Sequence, residues 1–399
     1  MHRIIGLDNG KAFKFKIPFE KNEIPEFRNG FRSFVYLCRK LKCNIMTDFK
    51  KDRVRGSLIG GAIGDALGYP VEFLKNFQVI ENYYGKGGIT RMDTMNDAGK
   101  GLISDDTQMT LFTACGLLNA KEKGMAPVPA ICQAYLEWYY TQKGVRSKRL
   151  KDCWIGDLPE MNEQRAPGIT CIDSLDMILQ GQEPVNDSKG CGGIMRVAPI
   201  ALYGLAQDRI KNVSALDDIA AETARLTHKH PLGYIPAYIL SHLIYRLATD
   251  EKPARESFIT YLDESMKAAR DKYDNQQNCL DEQQTLLDKA VKLAGEDIPD
   301  HEAILQIGEG WVAEETLAIA VYCTCKYLDD FEKAVVAAVN HGGDSDSTGA
   351  VTGNLMGAAV GYEAIPEHFT EDLEMRDVIL HVADDLWRGY TTRFVRNKE

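Results

Sequence analysis

From residue 53 onward, apolar residues recur at spacings of three and four, the period of one face of an α-helix. Leu317, Ala320, Val321, Cys325 and Leu328 form one such stripe. The pattern predicts helices near 53–68, 106–122, 128–141, 170–180, 214–227, 235–248, 255–270, 280–294, 312–328, 331–340, 346–361 and 372–388. Period-two alternation is nearly absent from this stretch, and no fixed-period repeat marks a solenoid. The expected fold class is all-α: one large helical domain over residues 53–399. Its most polar part, 250–300, suits a peripheral helical hairpin.

Residues 1–52 read differently. Asp8-Asn9-Gly10 is a turn signal between an apolar-rich run, Arg3–Leu7, and the alternating Ala12-Phe13-Lys14-Phe15-Lys16-Ile17. Asn-Gly tolerates positive φ, so the segment predicts a β-hairpin. A polar linker with Pro18 and Pro25 follows, and then Phe31, Phe34, Val35, Cys38 and Leu41 at helical spacing. These residues are expected to form a small extension, with a module boundary near 44–52.

Two of the predicted helices carry glycines that helix propensity disfavours by about 1 kcal/mol each. One holds Gly56, Gly60, Gly61, Gly64 and Gly68, the other Gly349, Gly353, Gly357 and Gly361. Spacing by four places them on one face, where two backbones can approach closely. The flanks are too polar for a membrane dimer, so tight packing inside the protein is expected.

Composition adds boundaries. The 399 residues are 44% hydrophobic and 26% charged, ordinary values for a globular chain. Ten scattered cysteines include no CxxC pair, which argues against a zinc site or a disulfide framework and suits reduced thiols in a cytoplasmic setting. MHRIIGLDNG lacks an apolar signal core, and no run approaches about 18 apolar residues, so neither secretion nor membrane spanning is expected. The formal charge of −11 is unevenly spread. Residues 1–51 hold twelve Lys/Arg against five Asp/Glu, a net +7, leaving 35 against 53 and a net −18 in the remainder. The acidic body is a poor nucleic-acid binder. For the basic arm, nucleic acid is one candidate partner and an acidic protein surface another.

Two acidic clusters carry the candidate chemistry. Ser104-Asp105-Asp106-Thr107 precedes the apolar run from Met109, and Gly343-Asp344-Ser345-Asp346-Ser347-Thr348 precedes another helix. Either could simply cap a helix, since Ser, Asp and Thr accept bonds from free first-turn N–H groups. Two such clusters, each pairing carboxylates with a hydroxyl, also offer hard oxygen ligands suited to Mg²⁺, Mn²⁺ or Ca²⁺. The second cluster opens like an EF-hand loop, but position twelve is Leu355 instead of glutamate, so that reading fails. Glu72 follows the first glycine-rich helix and could approach the same site. Gly190-Cys191-Gly192-Gly193-Ile194-Met195-Arg196 could present N–H groups to phosphates. His228 lies at a helix end, Asn340-His341 adjoins the second cluster, and Gly308-Glu309-Gly310-Trp311 reads as a tight turn into a helix with Trp311 and one glutamate packing or orienting.

Taken together, these segments resemble the ADP-ribosylglycohydrolases. GSLIGGAIGDALG, SDDTQMT, GCGGIMRVAPI, THKHPLGY, GEGWVAEETLAIAVYC and NHGGDSDSTGAVTGNLMGA occur in the family's order across about residues 53–361. The resemblance implies an all-α fold around two divalent cations, Mg²⁺ or Mn²⁺, and hydrolysis of the bond between ADP-ribose and a protein side chain. It assigns Ser104, Asp105, Asp106, Asp344, Asp346 and Ser347 to the metals. Gly190, Gly192, Gly193, Met195 and His228 fall at positions lining the ADP-ribose cleft. Asp106 or Glu72 is expected to transfer the proton. Serine stands for threonine at 104 and 347, keeping the hydroxyl, and Cys191 stands for a frequent asparagine.

The resemblance favours arginine as the acceptor in a modified protein; serine-linked or small-molecule conjugates and a catalytically degenerate binding protein are the alternatives. Some bacterial immunity proteins resembling this family both reverse an ADP-ribosyltransferase toxin's modification and plug the toxin's active site. Phe13, Lys14, Phe15 and Lys16 in the basic arm are the candidate toxin-binding residues, against the alternative of a lid over the protein's own cleft. No nucleic-acid or membrane partner is expected.

Overall fold

A computed structural model describes residues 3–8, 11–16, 30–206 and 212–395, with side chains from residue 48 onward, that of Arg146 excepted. The chain divides into two compact units, Met1–Asp48 and Phe49–Glu399. The turn of the expected hairpin, Asn9-Gly10, lies outside the described residues, as do residues 17–29 and the side chains of Phe13, Lys14, Phe15 and Lys16.

The larger unit is helical, as its periodicity predicts. Its elements are α1 (Gly30–Gly68) from Phe49 onward, α2 (Phe77–Tyr84), α3 (Asp105–Lys123), α4 (Pro127–Gln142), α5 (Ile169–Leu179) and α6 (Ala198–Leu205). There follow α7 (Val213–Arg225), α8 (Pro231–Thr249), α9 (Arg255–Lys272), α10 (Gln277–Leu293) and α11 (Asp300–Ile307). The last are α12 (Ala313–Lys326), α13 (Phe331–Val339), α14 (Ser345–Val360), α15 (Glu367–Asp372) and α16 (Arg376–Arg388). The helix predicted over 53–68 is the C-terminal part of α1, which begins at Gly30. The polar stretch 250–300 forms α9 and α10, which pack on each other and on α8 and α12. No described helix is long and apolar enough to cross a membrane.

The glycine-rich helices pair as their spacing implies. A Cβ placed on Gly56 would sit 2.5 Å from Gly357 O, one on Gly60 2.3 Å from Gly353 O, and one on Gly64 1.9 Å from Gly349 O. On Gly68 it would sit 2.3 Å from Ser345 O. Residue numbers rise along one helix as they fall along the other, so the two run antiparallel with their backbones in contact. Real side-chain carbons do not tolerate such distances, which is why glycine occupies the seam despite its cost to the helix. The seam also has a positional consequence. It brings the C-terminal end of α1, with Asp65 and then Glu72, to the N-terminal end of α14, where Asp344 and Asp346 stand.

Around this pair, α8 and α12 bury nearly all their apolar side chains, from Leu232 to Leu247 and from Leu317 to Cys325. Helices α3 and α4 pack together on another side, with Trp138 and Tyr135 fully buried. The Trp138 indole N–H donates to Gln108 Oε1 at 3.0 Å, satisfying the polar end of the ring.

Candidate active site

Five carboxylates, none more than 8% exposed, converge where α3 and α14 begin: Glu72, Asp105, Asp106, Asp344 and Asp346. Glu72, Asp344 and Asp346 each offer an oxygen within 4.8 Å of the others'. Asp105 and Asp106 adjoin this triad without falling inside that radius.

Local chemistry explains how each is held. Ser104 caps α3, its hydroxyl accepting from Asp106 N at 3.1 Å. Asp344 caps α14, accepting from Ser347 N at 3.3 Å, and Ser347 N also donates to Asp346 Oδ1 at 2.9 Å. Capping and a ligand role are therefore compatible: the cap fixes the backbone at each helix start and leaves neighbouring carboxylates turned inward. The two clusters meet through Ser347 Oγ, which donates to Asp106 Oδ2 at 2.9 Å. Asp105 Oδ2 accepts from Gly168 N at 3.1 Å, tying the start of α5 to the site.

Asp65 is a residue that the sequence reading did not single out. Buried in the last turns of α1, it accepts from Ser104 N (3.0 and 3.1 Å), from Thr107 N (3.1 Å) and from the Thr107 hydroxyl. It thereby docks the start of α3 onto the glycine seam. Its acidic character and its place one turn before Gly68 were visible, but its partners lie about forty positions downstream.

The electrostatics are those of crowded anions. Burial, and then the charges of Asp346 and Asp344, push the Glu72 carboxyl far up. Burial first and neighbouring aspartates also raise Asp106 and Asp344, while burial outweighs the Gly168 N–H at Asp105. Desolvation and like charge both penalise the ionised forms. Glu72 Oε2 is buried with no hydrogen-bond partner. A divalent cation would relieve both conditions, and the oxygen-rich donor set fits Mg²⁺ or Mn²⁺ better than a closed sulfur and nitrogen site.

The glycine loop lies beside this centre. Cys191–Gly193 forms a tight 3₁₀ turn, and Cys191 Sγ donates to Asp344 Oδ2 at 2.7 Å. Cys191 N donates to Trp311 O at 3.2 Å and Gly190 N to Ser188 Oγ at 3.3 Å, so two of the loop's N–H groups are engaged within the protein. His228 packs against the loop; a Cβ on Gly192 would lie 3.1 Å from its ring, and one on Gly190 3.3 Å. Burial and the Arg196 charge lower its pKa to about 3, so the ring is neutral near pH 7. Thr227 Oγ1 bridges His228 Nδ1 (2.8 Å) and the fully buried Arg196 (2.6 Å), whose guanidinium also covers the Tyr135 ring at 4.4 Å. Met195 is buried with its sulfur 3.9 Å from Ser347 Oγ.

The turn before α12 stitches these pieces together. Glu315 Oε2 accepts from Glu309 N and Gly310 N at 3.0 and 3.1 Å, and Asp344 N donates to Glu309 O at 2.8 Å. Glu315 is thus the orienting glutamate expected there. The Trp311 ring stacks with Phe73, next to Glu72, at 6.1 Å between centroids. Asn340 bonds both backbone groups of Ile89 at 2.8 Å, and His341 Nε2 meets Thr348 Oγ1 at 2.9 Å, so both close the junction before α14.

Comparison with known proteins agrees with this architecture. A family model described as ADP-ribosylglycohydrolase matches residues 46–395. The chain is 26% identical to the ADP-ribosyl-[dinitrogen reductase] glycohydrolase of Rhodospirillum rubrum, covering 82% of this chain and 91% of that one. It is 27% identical to the ADP-ribosylhydrolase ARH3 of Homo sapiens (81% and 89%) and 24% identical to the ADP-ribosylarginine hydrolase Tri1 of Serratia proteamaculans (86% and 81%). A solved structure titled an ADP-ribosylglycohydrolase-related protein complex shares the fold, with a TM-score of 0.59 and 24% identity, over 86% of this chain and all of that one. The chain belongs to the ADP-ribosylglycohydrolase family, hydrolases of the glycosidic bond that ADP-ribose makes to its acceptor.

Proposed function

We propose that this protein removes ADP-ribose from modified arginine side chains of proteins, using two divalent cations, Mg²⁺ or Mn²⁺. The observation that carries the reading is the buried triad Glu72, Asp344 and Asp346, in which Glu72 keeps an unpartnered carboxylate oxygen. Asp105, Asp106, Ser104 and Ser347 complete the proposed donor set. Bound there, the cations would supply positive charge to orient the ribose hydroxyls and lower the pKa of the attacking water.

The protein's own groups do the rest. Departure of the acceptor nitrogen develops oxocarbenium character at the anomeric carbon, which the flanking carboxylates stabilise. Asp106 or Glu72 exchanges the proton: a carboxyl whose pKa is raised by burial and neighbouring anions can hold a proton for the leaving group and take one from water. Gly192 and Gly193 bring backbone close to the diphosphate, and His228 and Met195 support the loop from behind. Arginine as the acceptor is supported by the similarity to the ADP-ribosylarginine hydrolase of Serratia proteamaculans. Release of ADP-ribose from an arginine-modified protein, assayed with and without Mg²⁺ or Mn²⁺, tests the reading. Metal-independent release, or release only from serine-linked substrate, would overturn it.

The charge split favours an added role for the extension. Residues 1–51 carry a net +7 on an otherwise acidic chain. In this reading residues 1–52 are a module distinct from a catalytic domain at 53–399. Phe13, Lys14, Phe15 and Lys16 contact the acidic cleft of an ADP-ribosyltransferase toxin whose modification the hydrolase reverses. Deleting residues 1–45 should leave hydrolysis intact and weaken toxin binding; unchanged binding would sink this role.

A further inference from the structure

Beside the carboxylate centre lies a pocket of about 290 Å³, walled by Tyr69, Pro70, Met95 and Leu102 and lined also by Asp93 and Asn96. None of the centre's five carboxylates lines it. It adjoins the centre through the backbone: Tyr69–Val71 is a single 3₁₀ turn leading to Glu72, and Leu102 stands two residues before Ser104. At a rise of about 2 Å per residue, Tyr69 and Glu72 are about 6 Å apart along that turn, the span of about two residues of extended peptide. Burial raises the Tyr69 pKa, the Arg165 charge opposes it, and Asp65, Glu72 and Asp346 add to the rise. The ring thus borders the pocket and the centre together.

The lining has a definite chemistry. Met95, in the loop between α2 and α3, is a large apolar side chain left 94% exposed. Hydrogen bonds hold that loop in shape: Tyr84 Oη donates to Asp93 Oδ2 at 2.8 Å, Met95 N to Asp93 Oδ1 at 2.9 Å, and Asn96 Nδ2 to Lys100 O at 2.8 Å. A carboxylate offers about four acceptor positions, so two bonds leave Asp93 capacity for another donor. Apolar walls beside a held carboxylate suit a long cationic side chain, whose stem packs while its head pairs.

We propose that this pocket binds an unmodified arginine or lysine of the acceptor protein, a near neighbour in sequence of the ADP-ribosylated arginine. This role rests on the arginine reading above and adds a preference to it: acceptors modified within a basic stretch bind more tightly. The stem of the neighbouring side chain packs on Tyr69, Pro70 and Leu102, and its cation meets Asp93. No bond is made or broken there; the pocket acts on substrate affinity alone.

The probes are peptides carrying ADP-ribosylarginine, made in pairs that differ only by arginine or alanine at one neighbouring position. With full-length protein and Mn²⁺, KM should be about tenfold lower for the arginine-bearing member of at least one pair, at similar kcat. Asp93→Asn should abolish that preference. Met95→Lys changes a side chain that is 94% exposed, so folding is not at stake, and its added cation should abolish the preference too. Equal KM within every pair for the wild type, or a preference that survives either substitution, overturns the pocket and leaves the arginine reading standing. Release of ADP-ribose from none of the peptides overturns the arginine reading, and this role of the pocket falls with it.

Discussion

Ser347 Oγ donates to Asp106 Oδ2 across 2.9 Å, joining two acidic clusters that stand 241 positions apart in the chain. The bond ties the first turn of α14 to the first turn of α3 and orients one carboxylate beside the Glu72–Asp344–Asp346 triad. Groups that orient ligands in this way typically contribute 10–100-fold to metal affinity. Ser347→Ala should therefore weaken Mn²⁺ binding by about that factor, read by calorimetry, with little change in melting temperature. Ser347→Thr, which keeps the hydroxyl, should restore it. Equal affinities in wild type and the alanine variant would show that the contact is mere packing.

The glycine seam makes a prediction in which propensity and packing oppose each other. In an exposed helix, glycine to alanine stabilises by about 1 kcal/mol. At Gly353 the added carbon would lie 1.9 Å from Gly60 O, and the obstacle is backbone, which cannot swing aside. Overpacking of this kind costs about 1–3 kcal/mol or more. Gly353→Ala should lower stability in urea unfolding, and because the seam spaces Asp65 and Glu72 from Asp344, it should also reduce cation affinity. A stabilised Gly353→Ala would contradict the backbone contact.

The seam was legible in the sequence because a spacing of four survives without knowledge of the partner. The long helices and the two cluster-to-helix junctions were legible for the same reason: cap chemistry and apolar period are local signals. Helices shorter than nine residues were not. In Ala198–Leu205 seven of eight residues are buried, so no polar face marks a period. Asp65 and the Cys191–Asp344 contact were hidden because their meaning depends on partners brought in by the tertiary fold.

Asp65 should behave as a positioning residue for α3. Its carboxylate receives the N–H groups of Ser104 and Thr107 and the Thr107 hydroxyl, all buried. Removing the acceptor leaves these donors unsatisfied, at about 1–3 kcal/mol for each group with imperfect additivity. Asp65→Ala should lower the urea midpoint clearly, and Asp65→Asn, which retains one carbonyl acceptor, should fall between. An alanine variant as stable as wild type would remove Asp65 from this role.

Proton and cation should compete at the carboxylate centre, and the sign of that competition is fixed. Glu72, Asp105, Asp106 and Asp344 have pKa values raised in the folded protein, chiefly by burial. Between the unfolded and folded pKa values the native state binds more protons than the unfolded chain, so without metal these groups favour folding more as pH falls. Their forced ionisation weakens the metal-free fold as pH rises through the folded values. Cation ligands must be deprotonated, so bound metal stabilises most at high pH and displaces protons to do so. The rise in melting temperature produced by a fixed concentration of Mn²⁺ should therefore be larger at pH 8 than at pH 5.5. Asp344→Asn should shrink that difference. A metal-induced shift that grows as the solution is acidified would place the binding site away from these carboxylates.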